Sequence, residues 1–194
     1  MILDAKTAVV DNDFVNNIIE SKLDNARLVA VLNIVFSDLG LSAVMHPLVY
    51  EKELLHDKER VKLLFRESVL LKAEFADIFQ NDTSKKAYYI FLVTQLYRAL
   101  TGKALPVSGD DVLTFWVYQT RLGEVHSVAM CLVCGSGIFL SDDGDSKALK
   151  AHVERMSLGE IEVFNREEFV NKHMLEGEAK LSRPEKRSLA HSRN

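Results

Sequence analysis

The sequence has few of the residues that reinforce small secreted proteins. It contains only two cysteines in 194 residues, which is too few for a disulfide framework and half of a structural zinc set. Both of them, Cys131 and Cys134, lie in the apolar stretch VAMCLVCG. We therefore expect two reduced thiols in or near the core, with a redox or metal role as the alternative.

Long hydrophobic runs are absent as well. The longest is LVAVL before Asn33, far short of the roughly 18 residues that a membrane helix needs. The N-terminus shows no basic region followed by an apolar segment, so we expect no signal peptide, no membrane contact and a cytoplasmic protein. The hydrophobic fraction of 47% and the charged fraction of 27% are typical of a globular chain. We expect one domain over residues 1–175.

The chain also lacks an overall basic charge, since its net charge is −4. From Ala179 onward, five basic residues against one acid give +4, which leaves −8 for the rest. An acidic body is a poor match to a protein that wraps nucleic acid over its whole surface. Residues 176–194 are expected to form a basic tail. We expect it to be mobile from Ala179 to Asn194, because Leu181 and Leu189 are its only sizeable apolar residues. Its expected use is electrostatic, toward phosphates or an acidic partner.

Strand patterns alternate with helix patterns along the chain. TAVVD, LSAVM, GIFLS and GEIEVF favour strands, and helical spacing follows the first of them at Phe14, Val15, Ile18 and Ile19. Gly40 is expected to end a helix, and Pro47 to begin the next one. This order predicts a three-layer α/β/α sandwich with a mostly parallel central sheet.

A helical insert is expected at about residues 56–110. A charged amphipathic helix over residues 58–79 would carry the apolar stripe Val61, Leu64 and Phe65. AYYIFLVTQLYRAL would form a second helix, with the stripe Tyr88, Phe91 and Leu92. We expect these stripes to pack together beyond the sheet, or against a second chain in a homodimer. VLTFWVYQTR is expected to begin a further helix.

Acidic residues follow two of the predicted strands. They are Asp11 and Asp13 after TAVV, and Asp142, Asp143 and Asp145 after IFLS. The carboxyl ends of parallel strands lie at one edge of a sheet, and helices can bring Glu53 and Glu124 to the same edge.

Gathered carboxylates repel one another, at about 4 kcal/mol for two unit charges about 4 Å apart at an effective dielectric constant near 20. A divalent cation removes that cost. Oxygen ligands without a cysteine or histidine set favour Mg²⁺ or Mn²⁺. Such a site is suited to phosphate chemistry.

Each acid also has a purely structural explanation. Asp13 and Asp145 can cap the helices that follow them. Glu53 can be an exposed helix residue, and Glu124 a first-turn acid favoured by the helix dipole. His126, two residues after Glu124, is expected at the surface or in the core, with a place beside the site as the alternative.

Four motifs in order resemble those of the PIN-domain family of metal-dependent ribonucleases. They are VVDND, VYEKELL, GEVHSVAMC and FLSDD, and GEIEVFNREEF resembles the family's closing strand and helix. The resemblance covers nearly all of residues 7–172 apart from the insert. It implies that Asp11 bridges metal and phosphate, that Glu124 and Asp143 complete the metal shell, and that Glu53 holds an outer position. Asp142 and Asp145 stay open as alternatives to Asp143 in the fourth motif.

The same resemblance implies hydrolysis of single-stranded RNA with Mg²⁺ or Mn²⁺, leaving a 5′-phosphate and a 3′-hydroxyl. Some members of the family are toxins paired with an antitoxin, and others process or degrade RNA; the sequence does not separate these roles. Asn12 stands where the family usually has Ser or Thr, and Asp13 where it more often has Asn. Ser141 and Asp145 are possible supporting residues.

Two other functions remain open. DNDFV also resembles the opening of haloacid-dehalogenase-type phosphatases, which would make Asp11 a nucleophile and Asp13 a general acid. The sequence contains no convincing Ser/Thr second motif or Lys third motif of those phosphatases, and the phosphatase function would leave Glu124 without a role. A catalytically inactive module that binds RNA or protein is the other alternative, and the Asn12 substitution keeps it open.

Overall fold

The computed structural model describes residues 3–117 and 121–191. The strands of this part of the chain are β1 (Thr7–Val10), β2 (Ser42–Met45), β3 (Leu70–Lys72), β4 (Ile138–Leu140) and β5 (Glu162–Phe164). The helices are α1 (Asn12–Ile19), α2 (Asn25–Asp38), α3 (Pro47–Lys52), α4 (Glu59–Arg66), α5 (Phe75–Phe79), α6 (Thr83–Thr101), α7 (Leu122–Cys134), α8 (Gly144–Arg155), α9 (Arg166–Glu176) and α10 (Arg183–Ala190). None of the described helices is long and apolar enough to cross a membrane.

The strands form one sheet in the order β3-β2-β1-β4-β5, and every neighbouring pair is parallel. In the central strand, Val9 pairs with Val44 on one side and with Phe139 on the other. The chain adds β2 and β3 on one side of β1 and then crosses to add β4 and β5 on the opposite side. The direction of winding therefore reverses beside β1, between β1 and β4.

Helices cover both faces of the sheet. Val9 and Phe139 belong to a core shared with helices α5 to α8. Ala8, Val10 and Leu140 point to the other face, where the core includes residues of α1, α2, α4, α9 and α10. This arrangement confirms the predicted three-layer α/β/α sandwich. The helix boundaries at Gly40, which has φ +64°, and at Pro47 are also as expected.

The long helix predicted over residues 58–79 is wrong. Helix α4 ends at Arg66, strand β3 follows at Leu70–Lys72, and α5 is a separate short helix. The helical spacing of apolar residues among charged ones in this stretch did not indicate β3, a three-residue strand that pairs with β2. Part of the expected insert therefore belongs to the central sheet.

The two apolar stripes do not pack together either. Val61 and Leu64 on α4 are buried on the face that carries α1 and α2. Leu92 on α6 is buried on the opposite face, while Tyr88 and Phe91 are 38% and 47% exposed. The sheet separates the stripes, so the expected contact between them is wrong.

The expectation of a mobile tail is wrong for residues 181–190. Helix α10 begins with a capping box between Ser182 and Glu185, and it packs on α9. Leu181 and Leu189 are buried in the core of that face. Two well-placed leucines and a capped first turn offset the ordering cost that the composition suggested. Residues 192–194 lie outside the described part.

The helix predicted from VLTFWVYQTR is only partly present. A 3-10 helix spans Gly109–Leu113, and Thr114 to Val117 are not helical. Phe115 and Trp116 pack against the core. Residues 118–120, including Tyr118, lie outside the described residues.

Candidate active site

The first acid stands at the end of the central strand. Asp11 follows β1 directly and is the N-cap residue of α1. Ser141 occupies the corresponding position after β4, the neighbouring strand. The crevice outside the carboxyl ends of β1 and β4 is the point where the winding reverses, and open α/β sheets bind their ligands at such a point.

Asp11 is buried, with only 3% of its surface exposed. Its Oδ2 accepts a hydrogen bond from Ser141 Oγ at 3.2 Å. Its Oδ1 is also buried and has no hydrogen-bond partner among the described residues. A buried carboxylate oxygen without a partner is costly, which marks Asp11 as a residue whose position serves something other than stability.

Ser141 links the two strand ends. Besides its contact with Asp11, its hydroxyl oxygen lies 3.4 Å from Asp13 Oδ1 and accepts the backbone N–H of Asp143 at 3.2 Å. Ser146 Oγ donates to it at 2.7 Å. Ser141 therefore fixes the first acid of the β1 end relative to the loop that carries Asp143.

Glu53 and Glu124 come from two different helices. Glu53 follows the last residue of α3, and Glu124 lies in the first turn of α7, as predicted. The Glu53 carboxylate lies over Gly123, where an added Cβ atom would be 2.8 Å from both of its oxygens. The absence of a side chain at Gly123 is what lets Glu53 reach the residue beside Glu124.

The electrostatics show that these acids interact. The pKa of Asp11 is raised well above its usual value by burial and by Asp13, Glu124 and Glu53. The pKa of Glu53 is raised to about 7 by burial and by Asp13. Burial, then Glu53, Asp143 and Asp13, raise the pKa of Glu124 to about 7. We call Asp11, Asp13, Glu53, Glu124 and Asp143 the acidic cluster.

Asp142 has a different role from its neighbour. It forms an ion pair with Arg166 at the start of α9, and it also accepts the Arg166 backbone N–H at 2.9 Å. Asn17 of α1 donates to its Oδ2 at 2.7 Å. These bonds tie β4 to α1 and α9. Besides burial, the charges of Asp142 and of the exposed Asp143 both raise the pKa of Asp13, but of these two only Asp143 also raises the pKa of Glu124.

The three remaining candidates are placed as follows. Asn12 accepts from Asn16 along α1, so its side chain does not support Asp11. Asp13 accepts the N–H of Phe14 at 2.7 Å, but the N-cap of α1 is Asp11. The N-cap of α8 is Asp143, so the expectation that Asp145 caps this helix is wrong. Asp145 instead pairs with Arg121 at 2.6 Å.

A buried polar chain includes His126 of α7, two residues after Glu124. Tyr89 Oη is 2.7 Å from His46 Nε2 and 2.6 Å from His126 Nδ1. Because His46 Nδ1 accepts the N–H of Leu48, His46 donates to Tyr89, and Tyr89 donates to His126. Burial lowers the pKa of His126 to about 3, so it is a neutral core histidine.

Both cysteines are free and buried, as expected. Burial raises the pKa of Cys134 to about 12, which leaves it a thiol near neutral pH. Sequence reasoning missed Ser146, Arg166, Arg121 and Tyr89. Arg166 could have been predicted, because it comes soon after β5, and the carboxyl ends of parallel strands lie at the same edge of the sheet as Asp11. No local pattern marked Tyr89.

The donors at this edge are carboxylate and hydroxyl oxygens, the chemistry that Mg²⁺ and Mn²⁺ prefer. The unpartnered Oδ1 of Asp11 and the mutual repulsion of the acidic cluster fit a bound cation. Within residues 3–117 and 121–191, however, no group of three or more His, Cys, Asp or Glu side chains is arranged so that it could hold a metal ion. The metal site therefore stays a prediction.

Comparisons with protein-family models, with curated proteins and with solved structures found no match to this chain.

Proposed function

We propose that the protein is a Mg²⁺- or Mn²⁺-dependent ribonuclease that hydrolyses RNA phosphodiester bonds at the acidic cluster. The observation that carries the proposal is Asp11, a buried carboxylate at the winding reversal with an unpartnered Oδ1 and three other acids acting on it. Five acids kept together without a cation cost stability, and a function explains why they are kept.

A divalent cation bound there would lower the pKa of water and stabilise charge on the scissile phosphate. Asp11, Glu124 and Asp143 would hold it, with Asp11 nearest the phosphate. The Glu124 and Asp143 side chains would have to turn toward Asp11. Asp143 is exposed, but its Oδ1 accepts the backbone N–H of Asp145 at 2.9 Å, so only its other oxygen is available without loss of this cap.

The protein's own groups supply orientation and proton transfer. Ser141 holds Oδ2 of Asp11, which leaves Oδ1 directed away from that bond. With a pKa of about 7, Glu53 exists in both protonation states near neutral pH, so it can take a proton from an attacking water. Arg121, beside Asp145 at the start of α7, can approach a phosphate of the bound strand.

The PIN-domain resemblance supports this proposal through its order of motifs, since the first motif contributes two acids of the cluster and each of the other three contributes one. In the phosphatase alternative Asp11 would be an ionised nucleophile, a role that usually requires a nearby cation. The neighbouring acids oppose the ionisation of Asp11, while the backbone N–H of Asn12 favours it. The ribonuclease needs the same ionised Asp11 as a metal ligand, so this electrostatic environment does not separate the two functions, and the preference rests on Glu124, to which the phosphatase gives no role. No observation favours the phosphatase over the ribonuclease.

The test is an assay of the full chain with Mn²⁺ on 5′-labelled single-stranded RNA, beside a generic phosphomonoester. We expect RNA cleavage with 3′-hydroxyl ends and no cleavage after Asp11→Asn. Glu160→Gln, at an exposed acid before β5, is the matched control and should cleave normally. Hydrolysis of the monoester alone would support the phosphatase, and inactivity on both would support the non-catalytic module.

A further inference from the structure

A second concave surface lies on the face of the sheet that carries α1, α2 and α10. A groove of about 620 Å³ is bounded by the segment after α1 and by helix α10. Its lining residues are Lys22, Leu23, Arg183, Pro184, Arg187, Ser188 and His191. Three are permanent cations, one is a histidine and none is an acid. We call it the basic groove.

The cations of the basic groove are available to a ligand. Lys22, Arg183 and Arg187 are exposed, and none of them forms an ion pair within the part of the chain that the structure describes. The one acid in the first turn of α10, Glu185, is buried and already paired with Arg27. Three unneutralised cations around a concave surface favour a polyanionic ligand.

The groove is held open by specific bonds. Ser188 Oγ accepts the backbone N–H of Lys22 at 2.8 Å, which joins the two walls. On the α1 side, Arg60 of α4 donates to the carbonyl oxygens of Ile19, Ser21 and Leu23 at 2.6 to 2.8 Å. Both walls are therefore fixed to the folded body, and the groove is a preformed site.

The basic groove and the acidic cluster are connected by one helix. Asp11 caps the N-terminus of α1, and Lys22 follows its last residue, Ile19, by three positions. The eight residues of α1 span about 12 Å at 1.5 Å per residue. A ligand that reaches the acidic cluster therefore needs to extend only a short way along α1 to enter the groove.

We propose that the basic groove binds the phosphate backbone of single-stranded RNA, next to the stretch that enters the acidic cluster; this rests on the proposed ribonuclease function. Arginine forks fit phosphate oxygens in pairs. Unpaired bases stack on histidine rings and guanidinium planes, and His191, Leu23 and Pro184 give the groove ring and apolar surface. An acidic peptide would use the cations but gain less from these surfaces.

The experiment measures binding without hydrolysis. Fluorescence anisotropy follows a labelled single-stranded RNA of about 12 nucleotides binding to the full chain in EDTA, over a series of KCl concentrations. We expect Arg183→Gln/Arg187→Gln to weaken binding about tenfold and to make the slope of log K against log[salt] shallower by about 1.4. The control, Arg98→Gln/Lys103→Gln, makes the same charge change at the end of α6, on the other face of the sheet, and should stay within about twofold.

Each other outcome overturns the proposal: no RNA binding by the wild-type chain, equal loss in both double variants, or no loss in either. Poly-glutamate of equal length that competes fully with RNA would identify an acidic-protein site instead. If the arginine variant does not fold, as judged by its thermal unfolding, Lys22→Gln on the opposite wall replaces it. EDTA prevents metal-dependent cleavage, so the binding measurement does not depend on activity. If the protein fails to cleave RNA, the binding result still tests the groove. If the arginine variant binds RNA as the wild type does, the cleavage assay still tests the ribonuclease.

Discussion

The carboxylate of Glu53 lies directly over Gly123, with both oxygens 2.8 Å from the place where a Cβ atom would stand. This contact brings an acid from the end of α3 to the first turn of α7, beside Glu124. Burial and Asp13 keep the pKa of Glu53 at about 7 in this position. The geometry of the acidic cluster thus depends on a residue that has no side chain.

Gly123→Ala should displace Glu53 while leaving the fold intact. The added methyl group meets the end of a flexible side chain, so Glu53 can rotate away, and alanine is the better helix former. We expect RNA cleavage to fall about 10- to 100-fold, with a change in unfolding free energy within about 1 kcal/mol. Cleavage rates and thermal unfolding measure these quantities. Gly137→Ala, at a glycine with nothing within 4 Å of its Cβ position, is the control; equal activity of both variants would contradict the role of Glu53.

The fold was predictable where the sequence pattern is strong. AVV and IFL are continuous apolar runs, and both lie in neighbouring strands whose side chains are buried on two faces, Val9 and Phe139 on one and Val10 and Leu140 on the other. Strand β3 was missed because its three residues lie between two charged segments, and only pairing with β2 makes them a strand. The sequence did not predict that α10 is an ordered helix, because composition does not show that Leu181 and Leu189 reach the core.

The candidate site was predictable only in part. The rule that parallel strand ends share an edge placed Asp11 and the β4 acids correctly. It did not reveal that Arg166 neutralises Asp142, because that contact depends on where α9 begins. Nor did it show Glu53 resting on Gly123, which depends on the packing of α3 against α7.

Asp11→Asn should abolish cleavage and stabilise the fold without metal. The folded-state pKa of Asp11 is above its unfolded value, so its ionisation destabilises the native state as the pH rises from about 4 through the folded-state pKa. At pH 8 in EDTA we expect the variant to be more stable by about 1–3 kcal/mol, with the difference vanishing near pH 4. Denaturant unfolding at both pH values measures it. A variant less stable than the wild type at pH 8 would show that the Asp11 carboxylate is compensated.

Mn²⁺ should stabilise the protein more at pH 7.5 than at pH 5.5. Glu53 and Glu124, with pKa values of about 7, are mostly protonated at the lower pH, and protons compete with the cation. A concentration of 100 times Kd at pH 7.5 would add about 2.7 kcal/mol. Thermal unfolding with and without Mn²⁺ measures the shift, which Glu124→Gln should reduce and Glu160→Gln should not. Equal melting temperatures with and without Mn²⁺ at pH 7.5 would contradict a metal site.

The adjacent acids Asp142 and Asp143 should separate stability from activity. Asp142→Asn breaks a largely buried ion pair with Arg166 and should cost about 1–3 kcal/mol, while cleavage below the melting temperature continues. Asp143→Asn keeps a good N-cap for α8, so it should fold normally and lose cleavage. Unfolding curves and RNA cleavage rates of the two variants decide the assignment, and the reverse pattern would make Asp142 the ligand.

Helix α10 should be an integral part of the fold. The carboxylate of Glu185 accepts the backbone N–H of Ser182 at 2.8 Å and pairs with Arg27 of α2, and Leu189 is only 2% exposed. Shortening the Leu189 side chain leaves a cavity in the core, so Leu189→Ala should destabilise the protein by about 2–4 kcal/mol. Lys180→Ala, at an exposed residue before the helix, should change stability by less than about 0.5 kcal/mol. Urea unfolding measures both variants.

Because deleting the chain after Glu178 would also remove Leu181 and Leu189 from the core, that deletion should lower the melting temperature whether or not RNA is present. If the truncated chain and Leu189→Ala both have the urea unfolding midpoint of the wild type, α10 contributes nothing to the stability of the fold. The wall of the basic groove that α10 forms is then not fixed.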